Sequence, residues 1–342
     1  MMKAVMVPHD HEYLHRLRQA LAQEDIEVSL FPPFHYATPY NFVRLWWLRR
    51  QGYSVVHVHW LYVFPFMWLM KLFVAWCRVL GFRVVWTVHN VLPHEADRKD
   101  VEKTRWFYSH ADAVFVHYEA NVDRLRETLQ VDTGKVTVIA HPTFEDSYPN
   151  TIGREESRRI LDIPLDAKVV LCFGQMRPYK GMEVFAEAIA ELGDEYLGMV
   201  VGAGQSRQVL DALREKEYMS SNLRVVAGYV PDDEMQLYFN AADIVALPYL
   251  RITTSGVVPL AYSFHRPVVT TRSGGMPEVV REGETGLLVP PGDADALREA
   301  IVELFSMDIR AMGDLAYEWA TTRFSWSRLA MQTARVYGEV TG

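Results

Sequence analysis

The sequence predicts two consecutive doubly wound α/β domains, each a parallel sheet with helices on both faces. Three observations carry this. Short, almost continuously apolar runs rich in Val and Ile alternate with longer amphipathic stretches, the rhythm of βαβ units whose strands are buried on both faces. The rhythm stops at His141-Pro142 and restarts at Lys168, and the stretch from Glu145 to Pro164 between them is rich in Pro, Asn, Gly and charge, which reads as a linker. The chain has 342 residues, enough for two domains that each bury a core.

In the first half, residues Lys3–Val7, Glu27–Phe31, Ser54–His59, Arg83–His89, Ala113–Val116 and Lys135–Ile139 read as strands, with a crossover helix over Phe66–Leu80. In the second half the strands are Lys168–Phe173, Leu197–Val201, Leu223–Ala227, Ile244–Leu247, Pro267–Thr270 and Gly286–Val289. Helices fill Gly181–Leu192, Ser206–Lys216, Asp232–Asn240, Ser255–Tyr262 and Asp293–Phe305. Ligands of such sheets bind beyond the carboxyl ends of the strands, so the two domains are expected to face each other across a cleft.

Composition narrows the function. With 49% hydrophobic and 23% charged residues the chain is an ordinary globular one, and its net charge of -8 argues against a nucleic-acid binder, which needs a basic footprint. Cys77 and Cys172 are far apart in apolar runs, which fits buried free thiols and neither a disulfide framework nor a metal knuckle. The amino terminus lacks the regions of a signal peptide, and a cytoplasmic protein is expected.

Charge is unevenly distributed. Residues 1–141 hold 16 Lys and Arg against 14 Asp and Glu, leaving a balance of -10 for the remainder. No acidic residue occurs between Glu27 and Glu95, an interval containing Arg44, Arg49, Arg50, Lys71, Arg78, Arg83 and six Trp. Pro65, Lys71 and Arg78 interrupt its most apolar part, so it is not read as a membrane span. Two readings stand: a buried crossover helix, or that helix with an aromatic and basic surface resting on anionic lipid headgroups, for which Trp46-Trp47 followed by Arg49-Arg50 speaks.

Several loops carry chemistry. Phe173-Gly174-Gln175-Met176-Arg177-Pro178-Tyr179-Lys180-Gly181 follows a strand and opens a helix, placing two cations beside a helix amino terminus, as a diphosphate requires. Val201-Gly202-Ala203-Gly204 lacks the third glycine of a dinucleotide fingerprint, and the first strand ends in Pro8-His9-Asp10 with no glycine, so a dehydrogenase is not expected. Arg251-Ile252-Thr253-Thr254-Ser255-Gly256 supplies hydroxyl and glycine residues before a helix, for capping or for cradling a sugar phosphate. Gly274-Gly275 and Pro277 repeat the arrangement next door. Asp293 and Asp295 read as a helix start rather than a metal pair.

Of the 12 histidines, 11 lie in the first 141 residues. His57 and His59 share a strand face, where a structural or substrate-binding role is favoured over a metal pair. His89 and Asn90 stand at a strand's carboxyl end, which makes His89 the strongest polar candidate of this half.

The order Gly174 to Gly181, Val201-Gly202, Gly228-Tyr229-Val230, Ala241-Ala242-Asp243, Pro267 to Thr271, Gly274-Gly275-Met276-Pro277-Glu278 and Thr285 to Val289 resembles the nucleotide-sugar glycosyltransferases of family 4, the group 1 enzymes with the two-Rossmann GT-B fold. The resemblance covers most of the chain. It implies an acceptor-binding domain over 1–145, completed by a carboxyl-terminal helix at about 323–342, and a donor-binding domain over 146–322. By the same resemblance Arg177 and Lys180 hold the donor diphosphate, Gly174 and Gly202 line it, Gly228 and Tyr229 meet the base, and His89 lies near the donor sugar.

The chain departs from the family pattern at the donor loop. Two Glu are common there, and Ile252 and Leu260 occupy their positions, so recognition passes to Thr253, Thr254, Ser255, Gly256 and Glu278. His9, Asp10, His59, Asn90 and Glu95 are the expected acceptor contacts, and His89, Arg177 and Lys180 the catalytic set. The expected partners are a UDP- or GDP-sugar, a saccharide or lipid-linked acceptor, and an anionic membrane surface; no cofactor or metal is expected. Transfer with retention is favoured, with the donor phosphate as base; inversion would need Asp10 or Glu95. A non-catalytic nucleotide-sugar-binding subunit and a nucleotide-sugar epimerase are the competing readings.

Overall fold

In the computed structural model the described residues are 1–8, 11–32, 38–92, 97–143, 148–253 and 255–342. The chain divides into a first unit of Met1–Pro142 with Ser325–Gly342, and a second unit of Thr143–Phe324.

The first unit runs β1 (Met2–Val7), α1 (Glu12–Ala22), β2 (Ile26–Leu30), α2 (Thr38–Arg50), β3 (Val55–Val58), α3 (Met67–Val79), β4 (Arg83–Val88), α4 (Arg98–His110), β5 (Ala113–Val116), α5 (Glu119–Leu129) and β6 (Val136–Val138). Its six strands are all parallel, in the order β2-β1-β3-β4-β5-β6. Successive side chains of a strand point to opposite faces, and both faces are covered. Val5, Val7, Val56, Val58, Val84 and Trp86 pack with Leu69, Phe73 and Phe107, whereas Ala4, Met6, Val55, Val85 and Phe115 pack with Leu14 and Leu17.

The second unit runs α6 (Arg154–Ile160), β7 (Lys168–Phe173), α7 (Met182–Ala190), β8 (Tyr196–Gly202), α8 (Arg207–Met219), β9 (Leu223–Ala227), α9 (Met235–Ala241), β10 (Ile244–Leu247), α10 (Val257–Ser263), β11 (Val268–Thr271), α11 (Met276–Val279), β12 (Gly286–Val289), α12 (Ala294–Ser306) and α13 (Ile309–Arg323). This sheet is also parallel throughout, in the order β12-β11-β10-β7-β8-β9. The last helix, α14 (Trp326–Thr341), packs on α1 of the first unit, burying Leu329, Ala330, Val336 and Tyr337.

The elements follow the sequence expectations closely, with instructive departures. The stretch expected to be a linker contains α6, because Arg158 is a buried anchor: its guanidinium donates to Asp243 Oδ2 at 2.8 Å and to the carbonyls of Ala241, Leu165 and Ala167. A buried arginine survives only when its donors are satisfied this fully. The residues expected to begin α9 form a turn, so the helix starts at Met235. Asp293 caps α12 by accepting from the Ala296 N–H, in line with the capping reading. Cys77 and Cys172 are both buried free thiols.

At Gly202, which ends β8 with φ at +149°, a Cβ would run into the backbone carbonyl of Gly174. This close approach brings the loops after β7 and β8 together. Gly202→Ala is expected to lower the urea unfolding free energy by about 2–3 kcal/mol or more; an unchanged unfolding midpoint would contradict this packing.

Candidate active site

In the second sheet the chain runs outward from β7 through β8 to β9 on one side and from β10 through β11 to β12 on the other. The crevice at such a reversal is where open α/β sheets bind ligands. Around it lie Gly174 to Gly181 after β7, Gly202 at the end of β8, Gly228 and Tyr229 after β9, Thr253, Ser255 and Gly256 after β10, and Glu278 after β11.

Backbone hydrogen bonds hold these loops: Met176 N–H donates to Ala203 O at 2.8 Å, Ser206 N–H to Met176 O at 3.0 Å, Gly228 N–H to Gly202 O at 3.0 Å and Leu250 N–H to Tyr179 O at 2.9 Å. Gly181, at φ +65°, leaves no room for a Cβ beside the Pro248 carbonyl. A short 3-10 turn, Pro178–Lys180, precedes α7, so Lys180 lies just before the helix.

Arg177 and Lys180 are half-buried, and among the described residues neither forms an ion pair. The Lys180 ammonium lies 4.7 Å from the centre of the Tyr249 ring and 5.7 Å from that of Tyr179. Burial pushes its pKa below the ordinary lysine value. Two neighbouring cations without a carboxylate form a receptor for an anion with several oxygens.

The other loop residues divide by their partners. Ser255 Oγ is 2.6 Å from the buried Tyr249 hydroxyl and accepts from the Val257 N–H at 3.2 Å, so this hydroxyl shapes the loop itself. Thr253 is buried, and its carbonyl accepts from the Gly275 N–H at 3.3 Å. Ile252 and Leu260, where the family commonly has Glu, are both buried in apolar packing. Tyr229 is 78% exposed, and Glu278 is exposed in the first turn of α11. Gly256 caps α10. Thr254 lies outside the described residues.

In the first sheet the reversal lies between β1 and β3, and His59 is the first residue beyond β3. His89 is likewise the first beyond β4, and His117 the first beyond β5. The register pairs Val58 with Trp86 and Val88 with Val116, so parallel strands deliver these imidazoles to one edge in a row. His117 Nδ1 lies 3.0 Å from the Ile139 carbonyl, His117 Nε2 3.2 Å from His89 Nδ1, and His89 Nε2 3.2 Å from His59 Nδ1.

A carbonyl only accepts, so His117 carries its proton on Nδ1. In a row of neutral rings His89 and His59 then also donate from Nδ1. His59 Nε2 is left as a buried acceptor with no partner among the described residues. Burial holds the rings neutral: the His57 and His117 pKa values are pushed down to about 3, those of His59 and His89 well below the usual histidine range, and that of His141 is lowered too.

This geometry fixes what His89 can offer. Both its nitrogens are engaged by neighbouring histidines, so it offers the site a ring stacked on Trp60 at 4.4 Å rather than a proton-transfer atom. His57 bridges Tyr337 of α14 and Thr87, each at 2.7 Å, a structural part. Among the described residues no cluster of His, Cys, Asp or Glu is arranged to hold a metal. His117 and His141 were not singled out from the sequence; the signal, a histidine just past successive strands, emerges only with the register. His9, Asp10 and Glu95 lie outside the described residues.

Beside this row is a cavity of about 520 Å3 whose walls include His59, Trp60, Tyr62, Trp86, His89 and Asn90. Asp100, Lys103 and Thr104 of α4 close another side.

Comparison with known proteins matches residues 167–307 to the family described as "Glycosyl transferases group 1" and residues 30–143 to "Glycosyltransferase Family 4". The D-inositol 3-phosphate glycosyltransferase of Corynebacterium jeikeium is 30% identical over 317 residues, 85% of this chain and 74% of the relative. That of Corynebacterium urealyticum is 29% identical over 315 residues, 84% of this chain and 72% of the relative. Among solved structures, the sucrose-phosphate synthase of Thermosynechococcus elongatus superposes with a TM-score of 0.78 at 19% identity, covering 100% of this chain and 99% of that one. The Anabaena protein HepE, in complex with UDP-glucose, superposes with a TM-score of 0.77 at 17% identity, covering 99% and 100%. These likenesses give the chain the GT-B fold.

The neutral histidines make the first unit sensitive to acid. Below about pH 6.5 the unfolded chain binds a proton on each histidine that the folded core refuses, so stability falls as the pH drops from about 6.5 towards about 3. At about pH 5 the loss is about 2 kcal/mol each for His57 and His117. Urea unfolding between neutral pH and about pH 5 is expected to show this loss, reduced in His117→Asn; an equal pH dependence in that variant would contradict it.

Proposed function

The chain belongs to family 4 of the group 1 glycosyltransferases, and we propose that it moves the sugar of a UDP- or GDP-sugar, with retention of configuration, to a saccharide acceptor carried at a membrane surface. The observation that carries the donor reading is the Arg177 and Lys180 pair, cationic and without an ion-pair partner among the described residues, at the strand reversal of the second unit. A nucleoside diphosphate supplies the missing anion. HepE was solved with UDP and with UDP-glucose, which supports a uridine donor. The relatives are named for D-inositol 3-phosphate, a cyclic polyol, which supports a polyhydroxylated acceptor.

In this mechanism the bond from the anomeric carbon to the diphosphate breaks as the bond to the acceptor oxygen forms on the same face. The acceptor proton passes to an oxygen of the departing phosphate, so no protein base is needed. Arg177 and Lys180 stabilise the charge that grows on the leaving group, and a half-buried setting strengthens them. Ile252 and Leu260 offer no carboxylate to the sugar or ribose hydroxyls, which leaves that task to the loop backbone around Thr253 and Gly256 and to Glu278.

The membrane part rests on the first unit. Among the described residues no helix is long and apolar enough to cross a membrane. Tyr40, Val43, Trp46 and Trp47 of α2 and Trp68, Leu72 and Val79 of α3 are nonetheless exposed, and the Arg50 guanidinium lies 5.1 Å from the Trp46 ring. The surface is less basic than the sequence suggested: Arg44 and Arg49 donate to backbone carbonyls, and Arg78 is paired with Asp112. Exposed Trp beside Arg50 and Lys71 suits a headgroup layer.

Nucleoside diphosphate release from a panel of UDP- and GDP-sugars, with and without a membrane lipid extract, tests the reading. Release from one donor that rises with the extract is expected, and absence of release from every donor would favour a non-catalytic binding subunit. Lys180→Ala and Arg177→Ala are each expected to cut transfer by about 100-fold to 1,000-fold; near-normal turnover in both would refute the diphosphate assignment. The protein is also expected to co-sediment with anionic vesicles at low salt, and Trp47→Ala combined with Trp68→Ala to weaken this; failure of the unaltered protein to co-sediment removes the membrane part.

A further inference from the structure

The two units treat charge in opposite ways. The donor loops of the second unit carry two cations and no acidic partner in an ion pair, whereas the described walls of the first unit's cavity carry one cation and one carboxylate, Lys103 and Asp100. Lys103 is its one cation among the described residues, and no Lys or Arg occurs among residues 9–10, 33–37, 93–96, 144–147 or 254. The Lys103 ammonium donates to the Phe64 carbonyl at 2.7 Å, and the Asp100 carboxylate lines the same cavity.

The histidine row adds no charge. His89 has both nitrogens hydrogen-bonded, and His59 donates from Nδ1 and keeps only a lone pair at Nε2. The walls also hold the neutral amide of Asn90, exposed and without a hydrogen-bond partner among the described residues, the hydroxyls of Tyr62 and Thr104, and the rings of Trp60, Tyr62 and Trp86.

A phosphorylated acceptor asks for several cations, ideally with a bidentate arginine, and the described walls offer a single lysine, tied to the Phe64 carbonyl, with the Asp100 carboxylate on the same cavity. Amide groups and aromatic walls suit the hydroxyls and ring hydrogens of an uncharged sugar, and about 520 Å3 lies within the ordinary range of small-molecule sites. We propose that the acceptor group received by this cavity is an uncharged sugar or cyclitol, hydrogen-bonded by Asn90, and not the phosphorylated cyclitol named for the relatives. This rests on the reading that the first unit holds the acceptor.

The test compares uncharged acceptors (myo-inositol and octyl glycosides of common hexoses) with D-inositol 3-phosphate and hexose 6-phosphates. The full chain is supplied with the nucleotide-sugar that it hydrolyses in their absence. At least tenfold higher kcat/KM for an uncharged acceptor is expected. Equal or better use of a phosphorylated acceptor, or no use of any uncharged one while donor hydrolysis continues, would overturn the proposal. Absence of both donor hydrolysis and nucleoside diphosphate binding would instead overturn the glycosyl-transfer reading on which it rests.

A variant gives a second readout. Asp100→Asn removes the one carboxylate on the described walls of the cavity, and the ratio of phosphorylated to uncharged acceptor use is expected to rise about tenfold. An unchanged ratio would show that the charge balance of this cavity does not select the acceptor.

Discussion

Parallel strand direction is the constraint on which the rest of this structure depends. In each unit six strands run the same way, so every carboxyl end, and every loop that follows one, gathers along a single edge. The sequence around those ends is spread over more than a hundred residues in each unit. Sheet register alone brings it together. In the second unit this edge collects five loops and places Lys180 beside the reversal between β7 and β10, over the ring of Tyr249. In the first it aligns His59, His89 and His117 so that each ring bonds the next. Burial on both sheet faces makes the register robust, because a one-residue slip would turn Val5 and Val7 to the face now occupied by Ala4 and Met6.

The same geometry separates two kinds of polar site. Cations held without counterions are costly unless an anion completes them, and Arg177 and Lys180 fit a site made to be completed by a ligand. The histidine row is completed internally, from the Ile139 carbonyl outward, and ends in one acceptor nitrogen. An unmet buried acceptor costs about 1–3 kcal/mol, less than a buried unpaired charge, and the unit tolerates this one beside the unpartnered amide oxygen of Asn41.

Much of this was legible in the sequence. Strands Ala113–Val116 and Gly286–Val289 coincide with the apolar runs that announced them, since a strand buried on both faces has little choice of residue. The loops after β7, β8 and β10 were legible as loops because glycine and cation spacing is local. The errors fell where a distant partner decided the outcome. The composition of residues 145–164 suggests a linker, and only Asp243 and the carbonyls around it make Arg158 the anchor of a helix. His89 was read as the strongest polar candidate of its half, and nothing in its neighbourhood in the chain reveals that residues 59 and 117 occupy both its nitrogens. Arg44, Arg49 and Arg78 were read as surface charge for the same reason, although their partners lie across the fold.

The central claim is that the second unit is completed by a diphosphate. Calorimetric titration of the full chain with UDP and GDP, each beside its nucleoside, tests this most directly. One nucleoside diphosphate is expected to bind at least 100-fold more tightly than its nucleoside, with affinity falling as salt rises, because the two phosphates carry the contacts to Arg177 and Lys180. Equal affinity for diphosphate and nucleoside, insensitive to salt, would contradict the account.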